Sequence, residues 1–264
     1  MTVFLIVEAN TPALVAKGLS GAWPFQRSLA SLLPEAEIRL WNPYAAPLTD
    51  RALDGVDGVI FTGGGEIWCV TAPEVAPQRA AMDLVLHHAL PVWGSCNGMQ
   101  LAALALGAEI GPCDKGLEVG LAKDLVLTDA GRAHPMMSGR SGPFAVPCVH
   151  RDEIKVLPES AVCLASNAHT RMQAMASDCD GAPVWGTQYH PELGLDDIAT
   201  YLQADGIFES SRGLMPHVVE AERDPEAVRH LGASPDDLRL ATRTLEFANW
   251  LRAIARRRDQ VQAA

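Results

Sequence analysis

The sequence lacks paired cysteines, an excess of positive charge and any long apolar run. Its six cysteines, at 69, 96, 113, 148, 163 and 179, include no Cys-x-x-Cys pair. That spacing excludes the usual zinc-site and disulfide frameworks and suits a reducing cytosol. Lys and Arg number 21 against 32 Asp and Glu, a net charge of −11. So acidic a chain is not expected to take nucleic acid or an anionic membrane as its main partner. No stretch approaches the roughly 18 uninterrupted apolar residues of a membrane span. The first residues, Met1 to Glu8, carry no basic segment, and their apolar run is strand-length, so a cytoplasmic location is expected. There is no internal repeat and no low-complexity tract. His134, His169, His217 and His230 show no metal-ligand spacing, and no metal or cofactor is expected.

What is present is apolar substance and alternation. Hydrophobic residues make up 48% of the chain, enough for one large domain with a full core. Val3–Val7, Gly58–Thr62 and Pro91–Ser95 read as short buried strands, and Glu37–Trp41 alternates like another. Helical stretches lie between them, Trp23–Leu33 and Glu74–Leu90, each closed by a proline. This alternation predicts an α/β fold, a mostly parallel central sheet flanked by helices. From Glu118 onward, short strand-like pieces (119–122, 125–128, 144–146, 161–164, 172–175) predict a small antiparallel addition. Val184–Tyr189 is one more strand. Beyond residue 195 the pattern turns helical. Ser234-Pro235-Asp236-Asp237 reads as a helix start, and Leu238, Ala241, Leu245, Ala248 and Leu251 recur at helical spacing. The division expected is a domain over 1–195 and a helical extension over 196–264 packed on it.

Three short stretches carry chemistry. In Gly94-Ser95-Cys96-Asn97-Gly98, a cysteine stands at a strand-to-helix turn between glycines. Side chains at the glycine positions would strike the neighbouring backbone. The helix dipole beginning at Cys96 favours negative charge on its sulfur. In His190-Pro191-Glu192, at a strand end, the two-residue spacing starts imidazole and carboxylate on one side of the chain. They would then act as a base and its orienter. Gly63-Gly64-Gly65 follows a buried strand and can aim N–H groups at a developing oxyanion. Each has an ordinary alternative: a packed thiol, a surface pair, a flexible loop.

Together, Gly-Ser-Cys-Asn-Gly-Met-Gln, the glycine loop and Gln188-Tyr189-His190-Pro191-Glu192 resemble class I glutamine amidotransferases, over roughly residues 1 to 195. The match is closest to the glutaminase domain of GMP synthase and its stand-alone relatives, with a flavodoxin-like fold. The resemblance implies a Cys96–His190–Glu192 triad acting through a γ-glutamyl thioester. It implies an oxyanion hole from the N–H groups of Gly64 and Asn97. It places Gln100, His150 and Arg151 in the substrate pocket. Two departures stand out: Gly-Gly-Gly where relatives have Gly-Gly-Pro, and Arg151 in place of a glycine.

Three functions compete at this level. The first is a glutaminase subunit releasing glutamate and passing ammonia to a separate synthase, since only about 70 residues follow Glu192, too few for a synthetase domain. The second is a stand-alone hydrolase of γ-glutamyl amides or peptides. The third is a non-catalytic binding relative. Partner subunits and homo-oligomerisation stay open.

Overall fold

The computed structural model describes residues 1–178, 181, 183–203, 209–221 and 223–263; Cys179 lies outside them. Among the described residues the strands are β1 Val3–Val7, β2 Glu37–Trp41, β3 Gly58–Phe61, β4 Val92–Ser95, β5 Glu109–Pro112, β6 Glu118–Leu127, β7 Phe144–His150, β8 Asp152–Val156, β9 Ala161–Ser166, β10 Ala174–Ser177 and β11 Val184–Thr187. Nine of these form one sheet in the order β2-β1-β3-β4-β11-β10-β9-β6-β7. From β2 to β11 the pairs are parallel. From β11 to β7 they are antiparallel. β5 and β8 form a separate antiparallel pair.

The α/β class is as expected from the alternation of strands and helices. The antiparallel addition extends the same sheet through β10, β9, β6 and β7, with β5 and β8 apart from it. β1 shows why the parallel part lies inside: all five of its residues, VFLIV, are buried. Successive side chains leave a strand on opposite faces. Phe4 and Ile6 join one core with Phe25, Trp93, Trp185, Phe247 and Trp250. Leu5 and Val7 join another with Val59, Phe61, Met82 and Met99. The helices Ala22–Leu32 and Leu245–Ala263 cover the first face, and Ala76–His87 and Asn97–Ala105 the second.

The strand expected at 172–175 lies at Ala174–Ser177, and three further differences have a local cause. The two pieces expected at 119–122 and 125–128 are one strand, β6, with an irregularity between Ala122 and Leu125 where Asp124 takes φ 52°. A break in alternation and a break in a strand look the same in sequence. The expected helix start at Ser234-Pro235-Asp236-Asp237 is a hydrogen-bonded turn, and helices run at Leu240–Arg243 and Leu245–Ala263. The interruption at Thr244 has a packing reason: Leu238 faces a cluster with Ile198, Leu202 and Val228, while Phe247, Trp250, Leu251 and Ile254 face the sheet. Each fully buried side chain of that size is worth roughly 1.5–3 kcal/mol, so this helix is a substantial part of the core. β5 and β8 lack a sequence signal; β5 reads EIGP and is half exposed.

Candidate active site

Because β1, β3, β4 and β11 are parallel, their carboxyl ends meet at one edge of the sheet, the usual place for a site in such folds. The loops there are tied together by buried polar groups. The Glu8 carboxylate accepts from Ser20 Oγ at 2.6 Å and from the N–H groups of Gly21 and Ala22, each at 3.1 Å, at the start of the helix Ala22–Leu32. A carboxylate at a helix N-terminus is favoured by the free N–H groups and the dipole. Thr62 Oγ1 accepts from Ala9 N at 2.9 Å, and Asn10 Oδ1 accepts from Gly65 N at 2.7 Å. The glycine loop is therefore fixed at both ends. Gly63 must be glycine, because a Cβ there would lie 2.5 Å from Cε1 of His190.

Cys96 follows β4 with φ 48° and ψ −103°, a strained conformation for a residue with a Cβ. Its N–H donates to Thr187 O of β11 at 2.7 Å. The helix Asn97–Ala105 begins at the next residue. The flanking glycines behave as expected: a Cβ on Gly94 would meet Met99 N at 2.6 Å, and one on Gly98 would meet Phe61 O at 2.2 Å. Gly64 sits beside Asn97, its Cβ position 3.6 Å from the Asn97 side chain. Among the described residues, nothing accepts the N–H of Gly64 or of Asn97.

The sulfur and the imidazole converge on one atom. Cys96 Sγ lies 3.7 Å from the Val149 carbonyl oxygen, and His190 Nε2 lies 3.4 Å from the same oxygen. His190 Nδ1 is 2.8 Å from Glu192 Oε1. All three side chains are buried. The pairing arises differently from the expectation of an extended strand. β11 ends at Thr187, and Leu193 N donates to His190 O at 3.2 Å, so residues 190–193 form a turn. Burial pushes the His190 pKa down, but the Glu192 charge and hydrogen bonds with Cys96 and Glu192 outweigh it and raise the value to about 10.

Two contributors went unassigned in the sequence. Ser95 Oγ donates to Glu192 Oε1 at 2.8 Å and lies 3.3 Å from His190 Nδ1. Gln188 Nε2 donates to Cys96 Sγ at 3.2 Å. Both lie inside the motifs quoted above, and their adjacency to Cys96 and His190 was the available signal.

The cleft beside Cys96 is lined by Ala9, Tyr44, Gly64, Trp68, Asn97 and Gln100, with Val149 to Asp152 opposite. Gln100, His150 and Arg151 all line it, but their polar groups are largely engaged. Gln100 Nε2 donates to Asp152 O at 2.7 Å and to Gln188 Oε1 at 3.0 Å. His150 Nε2 is 2.8 Å from Glu118 Oε2, and its Nδ1 is 3.1 Å from Asp152 O and 3.3 Å from Cys113 Sγ. Arg151 grips the Asp152 carboxylate, Nη2 to Oδ2 at 2.6 Å, and donates to Ile67 O. These residues hold the β7–β8 turn in place.

Behind that turn Glu118, Cys148 and His150 bring three ligand-type atoms within 4.8 Å of one another. The Glu118 carboxylate also accepts from Asn167 Nδ2 and Gln173 Nε2, each at 2.7 Å. This is a hydrogen-bonded network that satisfies the carboxylate without an ion. Burial raises the Glu118 pKa, but the bonds from His150, Asn167 and Gln173 and the His150 charge hold it below the usual range.

Residues 23–209 match the family described as glutamine amidotransferase class-I. A gamma-glutamyl-L-1-hydroxyisopropylamide hydrolase from a Pseudomonas species is 34% identical over 221 residues, 80% of this chain and 72% of that protein. The glutamine-hydrolyzing GMP synthase subunit of Methanocaldococcus jannaschii is 30% identical over 154 residues, 57% of this chain and 73% of its own. The crystal structure of a glutamine amidotransferase from Thermotoga maritima superposes with a TM-score of 0.63 at 15% identity, covering 96% of this chain and 97% of the other. At that identity the likeness is one of fold.

Proposed function

The chain belongs to the class-I glutamine amidotransferase family, a family of amide-hydrolysing enzymes, and from that premise we propose that Cys96, His190 and Glu192 are its catalytic triad, hydrolysing a γ-glutamyl amide. The observation that carries this is the convergence of Cys96 Sγ and His190 Nε2 on the Val149 carbonyl, with Glu192 on the far nitrogen of the ring. With the Cys96 thiol proton transferred to His190 Nε2, the sulfur attacks the side-chain amide carbon, and the N–H groups of Gly64 and Asn97 receive the oxyanion. Imidazolium Nε2–H protonates the departing nitrogen as the C–N bond breaks, leaving a γ-glutamyl thioester and free ammonia or amine. Nε2, now neutral, takes a proton from water as the water oxygen attacks the thioester. Glutamate leaves and the thiol recovers its proton. Gln100, His150 and Arg151 shape the wall of the substrate pocket, their polar groups held by the bonds described above.

With glutamine as substrate, the ammonia would pass to a separate synthase subunit. The same reading keeps residues 1–195 as the amidotransferase unit and 196–264 as a helical extension packed on it. A second reading, a stand-alone γ-glutamyl hydrolase, is favoured by the extent of likeness: 221 residues align with the Pseudomonas hydrolase against 154 with the GMP synthase subunit. A panel of glutamine and γ-glutamyl amides, with products identified by mass spectrometry, tests both. Glutamine as the best substrate, with turnover rising when a synthase is added, supports the first. A γ-glutamyl alkylamide outpacing glutamine supports the second. No turnover of any γ-glutamyl amide would sink the proposal.

A further inference from the structure

His190 stands in an awkward place. It lies beyond the end of β11, so no sheet ladder fixes its backbone; from β7, Pro147 O accepts its N–H at 2.8 Å and Val149 O lies 3.4 Å from its Nε2. Thr187 Oγ1 donates to Tyr189 O and Gln188 N to Gln173 O, each at 2.8 Å, and the C-terminal segment adds support through the residues on either side. Tyr189 Oη donates to Glu246 Oε1 at 2.9 Å. Glu246 is itself locked by Arg140, with Nε to Oε1 at 2.7 Å and Nη2 to Oε2 at 2.9 Å, and both side chains are almost wholly buried. Arg140 lies over the Phe144 ring at 4.3 Å, which ties the pair to β7. On the other side, Arg243 Nη1 donates to Pro191 O at 2.8 Å. Arg243 is also within electrostatic reach of Glu192, whose Oε2 is buried without a hydrogen-bond partner among the described residues.

We infer that Arg243 and Glu246 are positioning residues that hold His190 against Cys96 by gripping Tyr189 and Pro191. The inference rests on the triad reading above. A buried bidentate pair could serve packing alone, but packing has no need for two charged side chains to bracket one histidine. Bidentate Arg–carboxylate pairs add geometric definition as well as energy. Small displacements of a reacting group are costly: about 1 Å of misplacement can lower a rate about 100-fold.

The test compares Arg243→Ala, Arg243→Lys, Glu246→Gln and Tyr189→Phe with the wild type and Cys96→Ala in the full chain. Three quantities are read: kcat and KM on the best γ-glutamyl amide, the pH dependence of Cys96 alkylation by iodoacetamide followed on its peptide, and Tm. For Arg243→Ala, kcat is expected to fall about tenfold or more, KM to stay within about twofold, and Cys96 alkylation at neutral pH to slow in step. Arg243→Lys, which keeps a donor for Pro191 O, should recover a large part of each loss. Wild-type kcat and alkylation in both Arg243→Ala and Glu246→Gln would overturn the inference, as would a fall in Tm with unchanged alkylation of the folded protein. Full activity in Cys96→Ala would remove the triad reading and this inference with it. An inactive Cys96→Ala beside unimpaired Arg243→Ala and Glu246→Gln would remove the inference alone.

Discussion

The parallel and antiparallel halves of the sheet do different work at one cleft. The parallel strands deliver Cys96, the glycine loop and the His190 turn, each at a carboxyl end where a strand gives way to a loop or helix. Groups there are aimed by backbone strain and by close approach, as at Cys96 and Gly63. The antiparallel strands deliver a wall, Val149 to Asp152, held from behind by the buried Glu118–His150 network. One half places the atoms proposed to react through its backbone, and the other places a surface through side-chain hydrogen bonds. Substitutions should separate the two.

The largest effect is expected from Cys96→Ala. Loss of the sulfur should lower kcat by about 10³-fold or more with Tm nearly unchanged, measured by ammonia release and thermal melting. Equal activity in the variant would place the chemistry elsewhere. Next are two glycines that forbid a Cβ, one on each side. Gly98→Ala would set a methyl 2.2 Å from Phe61 O, and Gly131→Ala one 1.9 Å from Leu164 O. Each should cost about 3 kcal/mol or more in urea unfolding. Only Gly98→Ala should also silence the folded fraction, since it alone adjoins the elbow. If both lose activity only in proportion to unfolding, the two halves are not distinct in this respect.

Titration should separate the halves by sign. Glu118 has a lowered pKa in the fold, so its stabilisation is present above the unfolded value and is lost as pH falls through the folded one. His190 has a pKa raised to about 10, so its stabilisation is full below the unfolded value, roughly 6.5, and is lost as pH rises through about 10. Glu118→Gln should therefore flatten the acid limb of a stability–pH curve and His190→Gln the alkaline limb. The reverse pattern would refute the assignment. Smallest is Ser95→Ala, which removes the hydroxyl on Glu192 Oε1. A fall in kcat of about tenfold with unchanged KM is expected from a lost hydrogen bond to the orienting carboxylate.

Much of the parallel half was legible because its signals are local. A buried strand announces itself by composition, and the glycines around Cys96 by what their neighbours would exclude. The antiparallel half was harder. β5 and β8 have little apolar pattern, and β6 was split by its own bulge at Asp124. Ser95 and Gln188 lay inside recognised motifs, yet nothing in one dimension says that Ser95 turns to Glu192 or Gln188 to Cys96. The helix from Leu245 was foreseen by periodicity, but its start was misplaced because two cores compete for that segment.

The amino-acid order alone determined the alternation that makes an α/β sheet, the elbow around Cys96 and the closeness of His190 to Glu192, since each depends on residues a few positions apart. Only the tertiary structure decided that Cys96 and His190 share the Val149 carbonyl, that Arg151 is held by Ile67 O, and that Glu246 and Arg243 reach back to Tyr189 and Pro191. Those contacts join segments dozens of residues apart, and their partners are chosen by packing across the sheet rather than by spacing along the chain.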